Sequence, residues 1–189
     1  PLAETIERAH AAGLRVHAWV NVLSLARNRD APILEELGRE AVHVDRRGRS
    51  LLDYPDLEVP SPERGFYPMG TRGLYLDPAA QGVREWLAST FAELAARYPQ
   101  LDGVHLDSAQ LPSSDFDYAR DAVTLFRDEV APSLPSAERR LLDGRATIDP
   151  LTYPDAFPIE WSRFRRSRVT ALVARLGSVV RTHRPEARV

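Results

Sequence analysis

Short stretches that alternate with a period of two are interleaved along this chain with longer stretches whose apolar residues recur every three or four positions. Residues 14–20, Leu-Arg-Val-His-Ala-Trp-Val, alternate and read as a strand, as do Leu74-Tyr75-Leu76 and Val104-His105-Leu106-Asp107. Residues 2–12, 31–40, 79–98, 113–130 and 159–183 carry helical spacing. The predicted order of strands and helices implies βαβ units, and βαβ units imply a mainly parallel sheet. The fold class expected is α/β. A (β/α)8 TIM-type barrel fits, and a doubly wound sheet is the rival arrangement. A complete barrel takes about 250 residues. The 189 residues here are expected to form one domain that supplies only part of such a barrel.

Side chains on a strand point alternately to its two faces. Val16, Ala18 and Val20 therefore share one face, and His17, Trp19 and Asn21 the other. In the later strand Val104 and Leu106 oppose His105 and Asp107. A strand covered on both sides should be apolar throughout. Both of these strands depart from that on one side, and each has a polar residue at its C-terminal end. In a barrel that end is the rim where active sites are built. Asn21 and Asp107 are thus the first candidates, with His17, Trp19 and His105 beside them.

Each of these residues also has an ordinary reading. Asp107 and Asn21 can close turns, and the two histidines can be hydrogen-bonded core residues. Trp19 can be plain core or a platform for a sugar ring. Asp77, followed by Pro78, reads as the N-cap of the 79–98 helix. Asp53, Asp56, Asp115 and Asp117 read as solvated loop or helix-start charges.

Composition removes whole classes of chemistry. The chain has no cysteine, so it has no disulfide, thiolate nucleophile or Cys-ligated zinc. All 25 basic residues are arginine, which excludes a Schiff-base lysine and a Walker lysine. HExxH, GxSxG, GxGxxG and the P-loop are all absent. Nothing in the spacing of His17, His105 and Asp107 demands a metal, and neither metal nor cofactor is expected. The net charge of −2 argues against a nucleic-acid partner. No apolar run reaches the roughly 18 residues of a membrane-spanning helix.

Between Val42 and Thr71 the periodicity breaks up. Arg46-Arg47-Gly48-Arg49 reads as a turn between short extended pieces, and Pro55, Pro60, Pro62 and Pro68 forbid a long helix. Residues 132–158 are also Pro-rich and read as irregular. The chain opens on a helical turn at Pro1 and stops at Arg188 and Val189, where a new strand could start. It is expected to be a segment of a longer protein.

Three motifs in order carry a resemblance: His-Ala-Trp-Val-Asn at 17–21, Leu-Asp-Pro-Ala at 76–79 and Asp-Gly-Val-His-Leu-Asp at 102–107. Together they resemble the glycosyl hydrolase-like family 10 domain of bacterial extracellular proteins, over about Leu2 to Pro185. The resemblance implies a barrel related to the alpha-amylase clan, export to the cell envelope or exterior, and a polysaccharide or oligosaccharide substrate. It implies Asp107 as nucleophile or base. His17, Trp19, Asn21 and His105 then lie along the substrate, and Trp161 and Arg165 take the places of a family Trp and Arg. The general acid of the related clan follows the next strand, expected past Val189. After the key Asp, relatives commonly carry aromatic and Arg residues, whereas this chain reads Ser108-Ala109-Gln110-Leu111-Pro112. A non-catalytic carbohydrate-binding or cell-envelope protein on the same barrel is the alternative, and an unrelated α/β enzyme is a third reading.

Overall fold

The structure, a computed structural model, describes residues 2–54 and 73–189. The four prolines of the excursion and Asp56 lie outside the described residues, as does Pro1. The first helix, α1 (Leu2–Ala11), ends at Gly13, whose φ of 74° is readily adopted by glycine. Strand β1 (His17–Asn21) follows, then β2 (Ser24–Ala26) and α2 (Pro32–Leu37). Val44 and Ser50 bridge across the predicted Arg46–Arg49 turn, where Gly48 has φ 76°. Strand β3 (Leu74–Tyr75) leads to α3 (Gln81–Arg97), and β4 (Gly103–Asp107) follows. The remainder is helical: α4 (Arg120–Val130), α5 (Ser136–Ala146), α6 (Thr152–Ala156) and α7 (Pro158–His183).

Mixed α/β content is as expected. The described strands form two two-stranded sheets rather than a closed barrel. β1 and β4 pair in parallel, with His17 opposite Gly103, Trp19 opposite His105 and Asn21 opposite Asp107. β2 and β3 pair antiparallel. Arg188 forms an isolated parallel bridge to Gly103 on the other edge of β4, at the place where the sequence suggests a strand. Asp102 ties the lower end of this sheet together. Its carboxylate accepts the Val16 N–H at 2.7 Å and stands 2.9 Å from His10 Nε2 on α1.

Two apolar clusters hold the elements. The first packs Leu74, Leu76 and Val104 against Val83, Leu87 and Phe91 of α3 and Leu172, Leu176 and Val180 of α7. The second gathers Val123 and Phe126 of α4, Leu142 of α5, Tyr153 of α6 and Trp161 and Phe164 of α7. At about 1.5 Å per residue, the 26 residues of α7 are long enough to serve both clusters.

Three expectations need correction. The helix expected over 113–130 starts only at Arg120. Asp117 adopts φ 84°, which a right-handed helix cannot contain. The stretch 132–158 holds two helices, because Pro135 and Pro154 sit at or near helix starts, where a missing N–H is tolerated. Asp77 does not cap α3: the residue before that helix is Ala80, with no side-chain cap. The Asp77 carboxylate instead accepts the Ala79 N–H at 2.7 Å, closing a turn ahead of the helix.

Gly103 sits where three segments crowd. A Cβ there would lie 2.5 Å from the Arg188 carbonyl oxygen and 2.7 Å from the His17 ring. Gly103→Ala must displace backbone, with an expected loss of about 1–3 kcal/mol. Chemical denaturation of the two proteins side by side measures it, and an unchanged midpoint would contradict the packing described.

Candidate active site and a second buried cluster

β1 and β4 present the polar face that their alternation predicts. His17, Trp19, Asn21 and His105 are exposed and Asp107 is half-buried. The parallel register makes neighbours of them. The Trp19 and His105 rings lie 5.1 Å apart between centroids, tilted by 53°. Trp19 is 72% exposed, which is unusual for the largest apolar side chain and leaves a ring face free beside a carboxylate.

Asp107 ends β4, and its carbonyl oxygen accepts the Val22 N–H at 2.8 Å, which fixes the strand end against β1. The indole N–H of Trp19 and the backbone N–H of Ser108 both stabilise the charged carboxylate and hold its pKa below the usual range. Ser108 has φ 53°, a left-handed conformation that costs a non-glycine residue energy. Its hydroxyl lies 3.4 Å from Asn21 Oδ1 and 3.5 Å from Asp107 Oδ2, at the outer limit of hydrogen bonding. Five of the seven expected site residues therefore share one face. The arrangement offers an ionised carboxylate, an amide, two imidazoles and an aromatic platform: groups suited to binding hydroxyls and to acting as a nucleophile or base.

Trp161 and Arg165 stand elsewhere, in α7. Trp161 is 3% exposed, stacked on Phe164 and edge-on to Phe126. Arg165 is 8% exposed and donates through Nη1 to the carbonyls of Ser114 at 3.1 Å and Phe116 at 3.0 Å. In these positions they shape the 113–119 loop, and a sugar could reach them only if the covering residues moved.

Sequence reasoning missed a second group altogether. His43, Asp77 and Asp117 are 0%, 2% and 0% exposed. One ligand atom from each lies within 4.8 Å of the others. The expectation that Asp117 is a solvated charge is overturned: its loop folds inward and α7 covers it. Burial pushes the His43 imidazole down to about 4, opposed by Asp77 and reinforced by Arg165. Burial also drives Asp117 well up, the neighbouring Asp77 charge adds to this, and Arg165 opposes it. Neither oxygen of Asp117 and neither nitrogen of His43 has a hydrogen-bond partner among the described residues. A proton shared with Asp77 would join the two carboxyl groups. In the sequence one Asp directly follows an apolar strand, at Leu76-Asp77, and the other lies between aromatics, at Phe116-Asp117-Tyr118, but neither feature by itself brings the two together.

The cluster lies under the floor of a cleft of about 970 Å³. Val42 and Val44 flank His43, Tyr118 follows Asp117, and all three line the cleft together with Asp77 itself.

Comparison with known proteins agrees with the motifs. A 107-residue stretch is 30% identical to a protein named glycosyl hydrolase DigH in Escherichia coli strain K12, and equally to its counterpart in Shigella flexneri. That stretch is 57% of this chain and 22% of the relative, so the match covers less than a quarter of the relatives' length. Residues 1–189 match the family described as glycosyl hydrolase-like 10 from end to end. The motif order, the strand-end carboxylate and this full-length match agree, and the chain belongs to the glycosyl hydrolase-like 10 family.

Proposed function

We propose that this chain is the catalytic part of a glycosidase acting on a polysaccharide or oligosaccharide, with Asp107 as nucleophile or base. The observation that carries this reading is Asp107 at the C-terminal end of a parallel strand, ionised, in register with Asn21 and beside the exposed Trp19 ring. Glycoside hydrolysis uses two carboxyl groups across the scissile bond. Asp107 is one of them. The parallel bridge from Arg188 to Gly103 supports a source for the second. A longer chain continuing in that register brings a residue about four positions past Arg188 alongside Asp107. In this reading β1, β4 and the strand starting at Arg188 are neighbouring staves of a partial (β/α)8 barrel, whose mouth holds the substrate. Export to the envelope or exterior belongs to the same proposal, because that is where such polymers occur.

The test is reducing-end release by the full-length protein on a panel of bacterial and plant glycans. Release from at least one glycan supports the proposal. No release, together with saturable binding to one glycan, supports the non-catalytic alternative. The run Ser108–Pro112 favours that alternative, since it lacks the aromatic and Arg groups expected beside a sugar.

Trp19→Ala separates binding from chemistry. An aromatic platform contributes about 0.5–1.5 kcal/mol beyond the area it buries. Its loss should raise KM roughly tenfold and change kcat by less than about threefold. Steady-state kinetics on the best glycan measures both, and an unchanged KM would remove Trp19 from the substrate path.

A further inference from the structure

We infer that His43, Asp77 and Asp117 form a binding site for one divalent first-row transition ion, of the zinc or manganese class, beneath the floor of the 970 Å³ cleft. The site is separate from the strand-end face and independent of any glycosidase activity.

Four observations converge on it. The donor set is one imidazole and two carboxylates, a mixture that suits borderline ions better than calcium or magnesium, which take oxygen ligands throughout. The spacing is close to what an ion needs. His43 Nδ1 and Asp117 Oδ1 are 3.6 Å apart. Two ligands at about 2.1 Å in tetrahedral arrangement are separated by roughly 3.4 Å. All three ligand atoms lie within 4.8 Å of one another. The polar atoms are also unsatisfied. A fully buried imidazole with neither nitrogen hydrogen-bonded is rare in folded proteins and calls for a missing partner. Finally, Asp117 is held at φ 84°, a costly conformation that turns its carboxylate inward toward His43 rather than out to water.

Topology gives the ion a purpose. The three ligands come from the bridge segment at Val42–Val44, the turn between β3 and α3, and the loop before α4. An ion there cross-links three segments far apart in sequence. Asp77 also lines the cleft, so the cleft is the side from which an ion would enter.

A proton competes with the ion. Arg165 supplies one positive charge close to both His43 and Asp117, and one proton shared by Asp77 and Asp117 would also neutralise the cluster. The experiment decides between them. The full chain is stripped with a chelator, then titrated with Zn2+ and separately with Mn2+, following bound metal by elemental analysis and stability by thermal melting. The expected result is one equivalent of one of these ions per chain and a melting temperature raised by about 5 °C or more at saturation. Asp117→Asn, which keeps the shape and removes the charge, should lose that equivalent while melting at least as high as the stripped wild type. His43→Gln should lose it too, which guards against a misfolded Asn variant. Fewer than about 0.1 equivalents in the wild type, or equal binding by wild type and both variants, overturns the inference and leaves the cluster as a carboxyl pair sharing a proton.

Discussion

Asp107→Asn should lower glycan turnover by about a thousandfold or more while leaving the melting temperature unchanged. Asn keeps the size of the side chain and can still accept the Trp19 and Ser108 N–H groups through its amide oxygen. What it loses is the charge that, in the proposed reaction, attacks the anomeric carbon or takes a proton from water. Each tenfold in rate corresponds to about 1.4 kcal/mol of barrier, and a nucleophile or base is worth several such steps. The pH profile carries the same information. Donors from Trp19 and Ser108 hold the Asp107 pKa below the ordinary value of about 3.9, so the group stays ionised well into acid. The acid limb of kcat/KM should therefore fall below that value in the wild type and vanish with the residual activity of the variant. Turnover within twofold of wild type would rule Asp107 out as the centre of the reaction.

Arg165→Leu should be the most destabilising single change among the residues discussed, at roughly 3–5 kcal/mol in chelated protein. The buried Phe116 carbonyl and the partly buried Ser114 carbonyl lose the Arg165 guanidinium, and a buried acceptor deprived of its donor costs about 1–3 kcal/mol. The Asp77–Asp117 pair also loses the positive charge of Arg165. For a chain of this size the loss corresponds to a melting temperature lower by about 10 °C. Urea denaturation in the presence of a chelator keeps the arginine as the countercharge being tested. A change under 1 kcal/mol would mean that the loop holds its shape without Arg165.

The strand-end face was legible because its signal is local. Alternation over five residues fixes which side chains share a face. Parallel pairing then brings the two polar faces together in register, with no further information required. The buried cluster was not legible, because its members come from three different connections and only tertiary packing unites them. Asp77 carried a misleading local signal: an Asp-Pro pair ahead of a helical pattern looks like a cap, yet here it closes a turn before Ala80. Asp117 sat in a stretch with helical spacing, and nothing in that spacing announces a left-handed residue. The helices at 136–146 and 152–156 were hidden by prolines, which interrupt a helix from inside but are tolerated in its first turn. The sequence order pointed to a sheet of parallel strands. Closure into a barrel is a property of all the strands together, whereas the four strands among the described residues form two separate pairs.

The pairing of β1 with β4 has a consequence for how the molecule comes into being. Ser108 and Asn21, which face each other at the strand ends, are separated by 87 residues of sequence. Closing so long a loop costs chain entropy before any contact repays it, so such pairings form late and slowly. Asn21, Trp19 and Asp107 are strangers in a nascent chain. The proposed site therefore exists only once the chain between them has been made and has condensed, and its onset is tied to the long-range pairing of β1 with β4.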